Sequence, residues 1–182
     1  MKGEAFDCIQ NLSREKQDAD IPAAENLLKT SWKTVAETYN PEDIFNTDET
    51  ALYYRATPDH CMVLKNSSAS AGKKLKDRIT VLLTCNMTGT IKLKPLVIGK
   101  SKSPRCFKGV KHLPVDYVSN SNAWMTSSLF EDYLKKWDTE LLKKHKKVAL
   151  VLDNCPAHPK LTLKNIELVF IPSNVTSLIP TT

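Results

Sequence analysis

Apolar positions recur along this chain with three different periods. Between residues 23 and 39, Leu28, Trp32, Val35 and Tyr39 fall at spacings of 4, 3 and 4, one face of a helix. Asn40-Pro41 ends it, because the residue before a proline avoids the α region. Residues 43–48 read as a short strand with Asp48 at its end. From Arg78 to Asn86 the pattern alternates, Ile79, Val81, Leu83 and Cys85 making a strongly apolar face and Thr80, Leu82, Thr84 and Asn86 the other. Asn86-Met87-Thr88-Gly89 supplies a turn and Ile91–Ile98 a return strand, so a hairpin is expected, with Pro95 marking an edge or a bulge. Phe130, Leu134, Trp137 and Leu141 predict the clearest helix. Ser128 and Glu131 fit a capping box at its start, with Thr126 and Ser127 as alternative caps. Val148–Leu152 and Leu168–Ile171 are continuous apolar runs, as buried strands require. Residues 1–22 read as a weakly ordered lead-in, and 57–76 and 99–122 as long polar connections.

A buried strand that follows a long amphipathic helix returns parallel to its neighbour. If strand 43–48 lies between the hairpin and strand 148–152, Asp48 and Asp153 reach adjacent strand ends, with the strands ~4.8 Å apart.

Charge adds a partner to this picture. The chain has 182 residues and a formal net charge of +6. Residues 1–59 hold 6 basic and 12 acidic side chains, and 113–182 hold 8 and 7, whereas 60–112 hold 12 basic ones and a single acid, Asp77. A phosphate backbone suits that basic middle, although a solvated basic surface has the same composition. The candidate phosphate contacts are Lys73, Lys74, Lys76, Arg78, Lys100, Lys102, Arg105 and Lys108. Five scattered cysteines without a C-x-x-C pair argue for a reducing compartment, nucleus or cytosol. No apolar run approaches the ~20 residues that span a bilayer, so no membrane partner is expected.

Two carboxylates delivered to one rim of a sheet can hold a divalent ion, and hard oxygen ligands select Mg²⁺ or Mn²⁺ over Zn²⁺. Such ions serve phosphodiester cleavage and joining. Glu49 should point to the opposite face of its strand from Asp48 and act as a support rather than a ligand. Asn154 and His158 follow Asp153 closely. His158 could hydrogen-bond a ligating carboxylate or a phosphate, or could be a turn histidine without a role. Cys155-x-x-His158 lacks the second pair that a zinc site needs.

Several stretches resemble the DDE-superfamily endonuclease domain of pogo-type Tigger transposases and their Jerky-like and centromere protein B relatives. They are Asn46-Thr47-Asp48-Glu49-Thr50, Arg78–Leu82, Asn86–Thr90, Pro95–Phe107 and Leu150–His158, within a match from about Ala24 to Leu178. The resemblance implies an α/β, ribonuclease H-like fold: a mixed five-stranded sheet flanked by helices, over residues 23–182. It also implies DNA as substrate, a nuclear location and Asp48 and Asp153 as the first two catalytic, metal-binding acids. The family continues with Gln-Pro, a hydrophobic residue and a third acid, where this chain reads Leu178-Ile179-Pro180-Thr181-Thr182. The expectation is therefore a DNA-binding domain, C-terminally incomplete and short of its third carboxylate, with strand cleavage lost or incomplete. An active Mg²⁺-dependent endonuclease, if that carboxylate is supplied, and a protein-interaction module or decayed fragment are the alternatives. A homodimer is compatible with each.

Overall fold

A computed structural model describes residues 32–55 and 77–171. The lead-in 1–22, helical positions 23–31, Lys73, Lys74, Lys76 and the stretch 172–182 lie outside the described residues. Helix α1 (Lys33–Thr38) and a 3₁₀ turn (Pro41–Asp43) lead into β1 (Ile44–Tyr53). Strands β2 (Arg78–Asn86), β3 (Leu96–Gly99) and β4 (Asp116–Ser119) follow. Helix α2 (Ser127–Lys143) then crosses to β5 (Val148–Asp153), and β6 (Ile166–Ile171) closes the order.

The sheet runs β4-β3-β2-β1-β5-β6. Strand β1 pairs antiparallel with β2 and parallel with β5, and β5 pairs parallel with β6. This is the α/β, ribonuclease H-like mixed sheet with flanking helices, with six strands where five were expected. The extra one is β4, four half-buried residues inside the polar stretch 99–122, too short to show a period. Because β4 pairs with β3, Pro95 does not mark a sheet edge; it stands where the hairpin is interrupted, between the Cys85–Lys92 bridge and Leu96. Gly89, at φ +69°, makes the hairpin turn.

Helix α2 buries Phe130, Leu134, Trp137 and Leu141, the predicted stripe, against Phe45, Leu82, Val148 and Leu150. The Phe45 and Trp137 rings meet edge to face at 5.2 Å. Its cap is Thr126, whose hydroxyl accepts the Leu129 amide at 3.3 Å, and not Ser128, which lies inside the first turn. On the opposite face Val35 of α1 packs with Ile44, Ala149, Val151 and Ile171.

Strand β2 reverses the expected facing. Thr80, Leu82, Thr84 and Asn86 are buried, while Leu83 is 50% exposed. Burial of the polar side is stabilised by hydrogen bonds. Thr84 and Thr47 join hydroxyls at 2.7 Å, and Tyr133 from α2 donates to Thr84 at 2.9 Å. Asn86 holds the hairpin turn, accepting the Ile91 amide at 2.9 Å and donating to Thr90 at 3.0 Å.

Candidate functional site

Asp48 stands in the middle of β1, not at its end. The antiparallel pairing with β2 continues to Tyr53↔Arg78, whereas the parallel pairing with β5 stops at Asn46↔Val151. Asp48 therefore sits just past the point where β5 leaves its neighbour. The pairs Ile44↔Ala149 and Asn46↔Val151 carry the register forward to Asp48 opposite Asp153. Side chains alternate along a strand. Ile44 and Asp48 share a parity, as do Ala149, Val151 and Asp153, and Ile44, Ala149 and Val151 pack together with α1. Both acids thus belong to the α1 face. Burial pushes the Asp48 carboxyl above its usual range, and the charges of Glu49 and Asp153 add to this against the Glu49 amide and His158.

Glu49 takes the opposite parity and reaches His158. The His158 side chain is fully buried, its ring 4.3 Å from that of Phe130. Its Nε2 lies 2.9 Å from Glu49 Oε1 and its Nδ1 3.1 Å from the Asp153 carbonyl oxygen. Both partners are acceptors, so both ring nitrogens must donate and the ring is an imidazolium. Burial alone would lower its pKa, but the Glu49 hydrogen bond, the Asp153 carbonyl and the two carboxylate charges outweigh it and raise it to about 8. Nδ1 is also 2.7 Å from Asp153 Oδ1, a charge contact whose angle does not make a hydrogen bond. That buried oxygen has no hydrogen-bond partner among the described residues. The imidazolium meets the charge on that oxygen, which leaves the other oxygen of Asp153, beside Asp48, to offer a hard cation.

Asn154 is held through its backbone amide, which donates to the Ile171 carbonyl at 3.1 Å. Asp153, Cys155 and His158 offer ligand atoms within 4.8 Å of one another. His158 has no free nitrogen, and burial raises the Cys155 thiol pKa, so this trio is not a ready zinc site.

The candidate phosphate contacts divide. Arg78 lies over the Trp124 ring at 4.8 Å, and Lys100 pairs with Asp77 at 3.4 Å, an acid it shares with Arg55. Lys102, Arg105 and Lys108 are outward-facing in the connection before β4 and form no ion pair among the described residues. Trp124 was not legible as a functional candidate. The available signal was a tryptophan at the end of a polar connection, two residues before a helix cap.

The geometry defines a ribonuclease H-like domain with two acids on one face of adjacent parallel strands. A family model described as DDE superfamily endonuclease matches residues 76–181. The chain belongs to that family. It is 46% identical over 140 residues to mouse Tigger transposable element-derived protein 4, covering 76% of this chain and 27% of that protein. It is 37% identical over 180 residues to the human Jerky protein homolog, covering 92% and 32%. The chain thus spans about a third or less of these relatives' length. A solved Mos1 mariner paired-end complex with Mn aligns at TM-score 0.46 and 13% identity, over 92% of this chain and 46% of that one. Among the described residues no helix is long and apolar enough to cross a membrane.

Proposed function

We propose that this chain is a transposase-derived domain that binds DNA, and that Asp48 and Asp153 together hold Mg²⁺ or Mn²⁺. One observation carries the reading: Asp48 and Asp153 share a parity on neighbouring parallel strands, near enough that the charge of Asp153 helps to raise the Asp48 carboxyl pKa. An ion bound there would supply Lewis-acid activation of an attacking oxygen. The chain's own residues do the positioning. His158 fixes the end of β5 through the Asp153 carbonyl, and Glu49 fixes His158. DNA is engaged through phosphate contacts from the basic middle, Lys102, Arg105 and Lys108 first among the described residues.

The DDE-type unit in this reading is residues 23–182. Threonines stand at 181 and 182, where the family pattern calls for a third acid, and in this reading strand cleavage is lost or incomplete. The retained acid pair favours one alternative, a Mg²⁺-dependent endonuclease completed by a carboxylate from elsewhere. The proposed location is the nucleus, which a tagged chain imaged in cells tests.

Calorimetric titration of Mn²⁺ into the full chain should show one site that Asp48→Asn and Asp153→Asn each remove. Affinity for a generic duplex should fall steeply as salt rises. A salt-independent affinity refutes the phosphate reading, and Mn²⁺ binding unchanged in both variants refutes the acid pair. Nicking of supercoiled plasmid, lost in both variants, would establish the endonuclease instead.

A further inference from the structure

On the α2 face of the same sheet, a cavity of about 220 Å³ opens beside Trp124. Glu49, Thr50, Arg78, Thr80 and Ala157 line it with the indole. Glu49 follows Asp48 on β1, and Ala157 belongs to the loop after Asp153, so the cavity borders the acid pair from the other side of the sheet.

Trp124 is 57% exposed, yet its loop is firmly built. The Asn120 side chain accepts the Asn122 and Trp124 amides at 3.1 and 3.2 Å and donates to the Trp124 carbonyl at 2.6 Å. Ala123 is fully buried at φ +53°, a conformation non-glycine residues rarely adopt, and its carbonyl accepts the Thr80 hydroxyl at 2.6 Å. The loop is over-determined and holds the indole outward. Arg78 stacks on that ring, and its Nε is buried without a hydrogen-bond partner among the described residues.

We propose that this cleft receives one unpaired base of a DNA strand, stacked on Trp124, with Arg78 meeting the adjoining phosphate. Stacking on an aromatic tolerates any base, because every base has a π face. The volume is below the roughly 300–1,000 Å³ of small-molecule sites, which suits one base of a strand held elsewhere. The Glu49 carboxylate on the wall, although paired with His158, offers no cation to a phosphate in the interior, while a neutral base can meet it there with a ring N–H or an exocyclic amine. A cation at the stacking face and an acid inside thus favour a base with its phosphate outside over a free anion.

This inference rests on the DNA-binding reading, and the test separates the two. Fluorescence anisotropy of labelled oligothymidylate and of a blunt hairpin duplex, in chelator, is read with the full chain and with Trp124→Ala, Trp124→Phe and Arg78→Ala. Trp124→Ala should weaken oligothymidylate binding about ten- to a hundredfold and leave the duplex unchanged, whereas Trp124→Phe keeps most of the affinity. Stacking releases no counterions, so Trp124→Ala should keep the slope of log affinity against log salt, and Arg78→Ala should reduce it by ~0.7. Equal losses on both nucleic acids, or no loss on either, with Trp124→Phe confirming an intact fold, overturn the cleft while leaving the DNA reading standing. If the unmodified chain binds neither nucleic acid, both fall.

Discussion

The charge on His158 makes the stability of the domain depend on pH in a direction opposite to acid unfolding. Its pKa rises from 6.5 to about 8 on folding, through Glu49 and Asp153 against the cost of burial. A raised pKa means that the folded state holds the proton more tightly. The stabilisation is therefore complete below pH ~6.5 and is lost as pH rises through ~8. A shift of that size corresponds to about 2 kcal/mol. His158→Gln leaves Glu49 and Asp153 without their common cation. Breaking a buried pair from one side costs 3–5 kcal/mol, and ~3 applies here because both carboxylates stay partly exposed. Urea unfolding of wild type and variant, in chelator, measures the difference across pH. The gap should be about 3 kcal/mol near pH 6 and close to 1 near pH 9. A gap constant across that range refutes the imidazolium assignment.

Asp48 is destabilised as a carboxylate by burial and by its acidic neighbours, so Asp48→Asn should raise the melting temperature in chelator. A melting temperature that falls would show that Asp48 holds the fold together instead. Leu82→Ala should cost about 2–5 kcal/mol in denaturant unfolding, whereas Leu83→Lys, one residue along, should stay within about 0.5 kcal/mol; the reverse order would mean that β2 faces the other way. Thr84→Val strands the Tyr133 hydroxyl and leaves Thr47 only its bond to the Leu83 carbonyl, and should cost about 1–3 kcal/mol, where a neutral result would make that network dispensable.

The elements with one dominant period were legible. The stripe Phe130, Leu134, Trp137 and Leu141 and the run Val148–Leu152 landed where their patterns put them, because a helix or central strand that is apolar in one register has one way to be buried. Strand β2 was not legible in this way. Its more apolar side, Ile79, Val81, Leu83 and Cys85, lost to a side of Thr80, Leu82, Thr84 and Asn86, since buried hydroxyls matched by Thr47, Tyr133 and the Ala123 carbonyl remove the polar penalty that a pattern count assumes. Strand β4 escaped because four residues carry no period. That Asp48 and Asp153 come from neighbouring strands was readable, but the mid-strand position of Asp48 and the environment of His158 were not. Its two partners lie 109 and 5 positions away, and only the closed sheet brings them to one ring.

That ring explains why Asp48 and Glu49 cannot exchange places. They are neighbours on β1 and point to opposite faces, Asp48 toward the α1 side shared with Asp153 and Glu49 toward His158 on the α2 side. A slip of one residue would send Glu49 to the acid face and Asp48, one methylene shorter, toward the histidine. Two contacts on the α2 side oppose the slip: the Phe45 ring against Trp137, and Thr47 bonded to Thr84. Both belong to the parity of Glu49, so each would turn to the other face together with it. The buried hydroxyl pair that a hydrophobicity count would score as a flaw in β2 therefore fixes which carboxylate faces Asp153, and with it the geometry on which the proposed cation site depends.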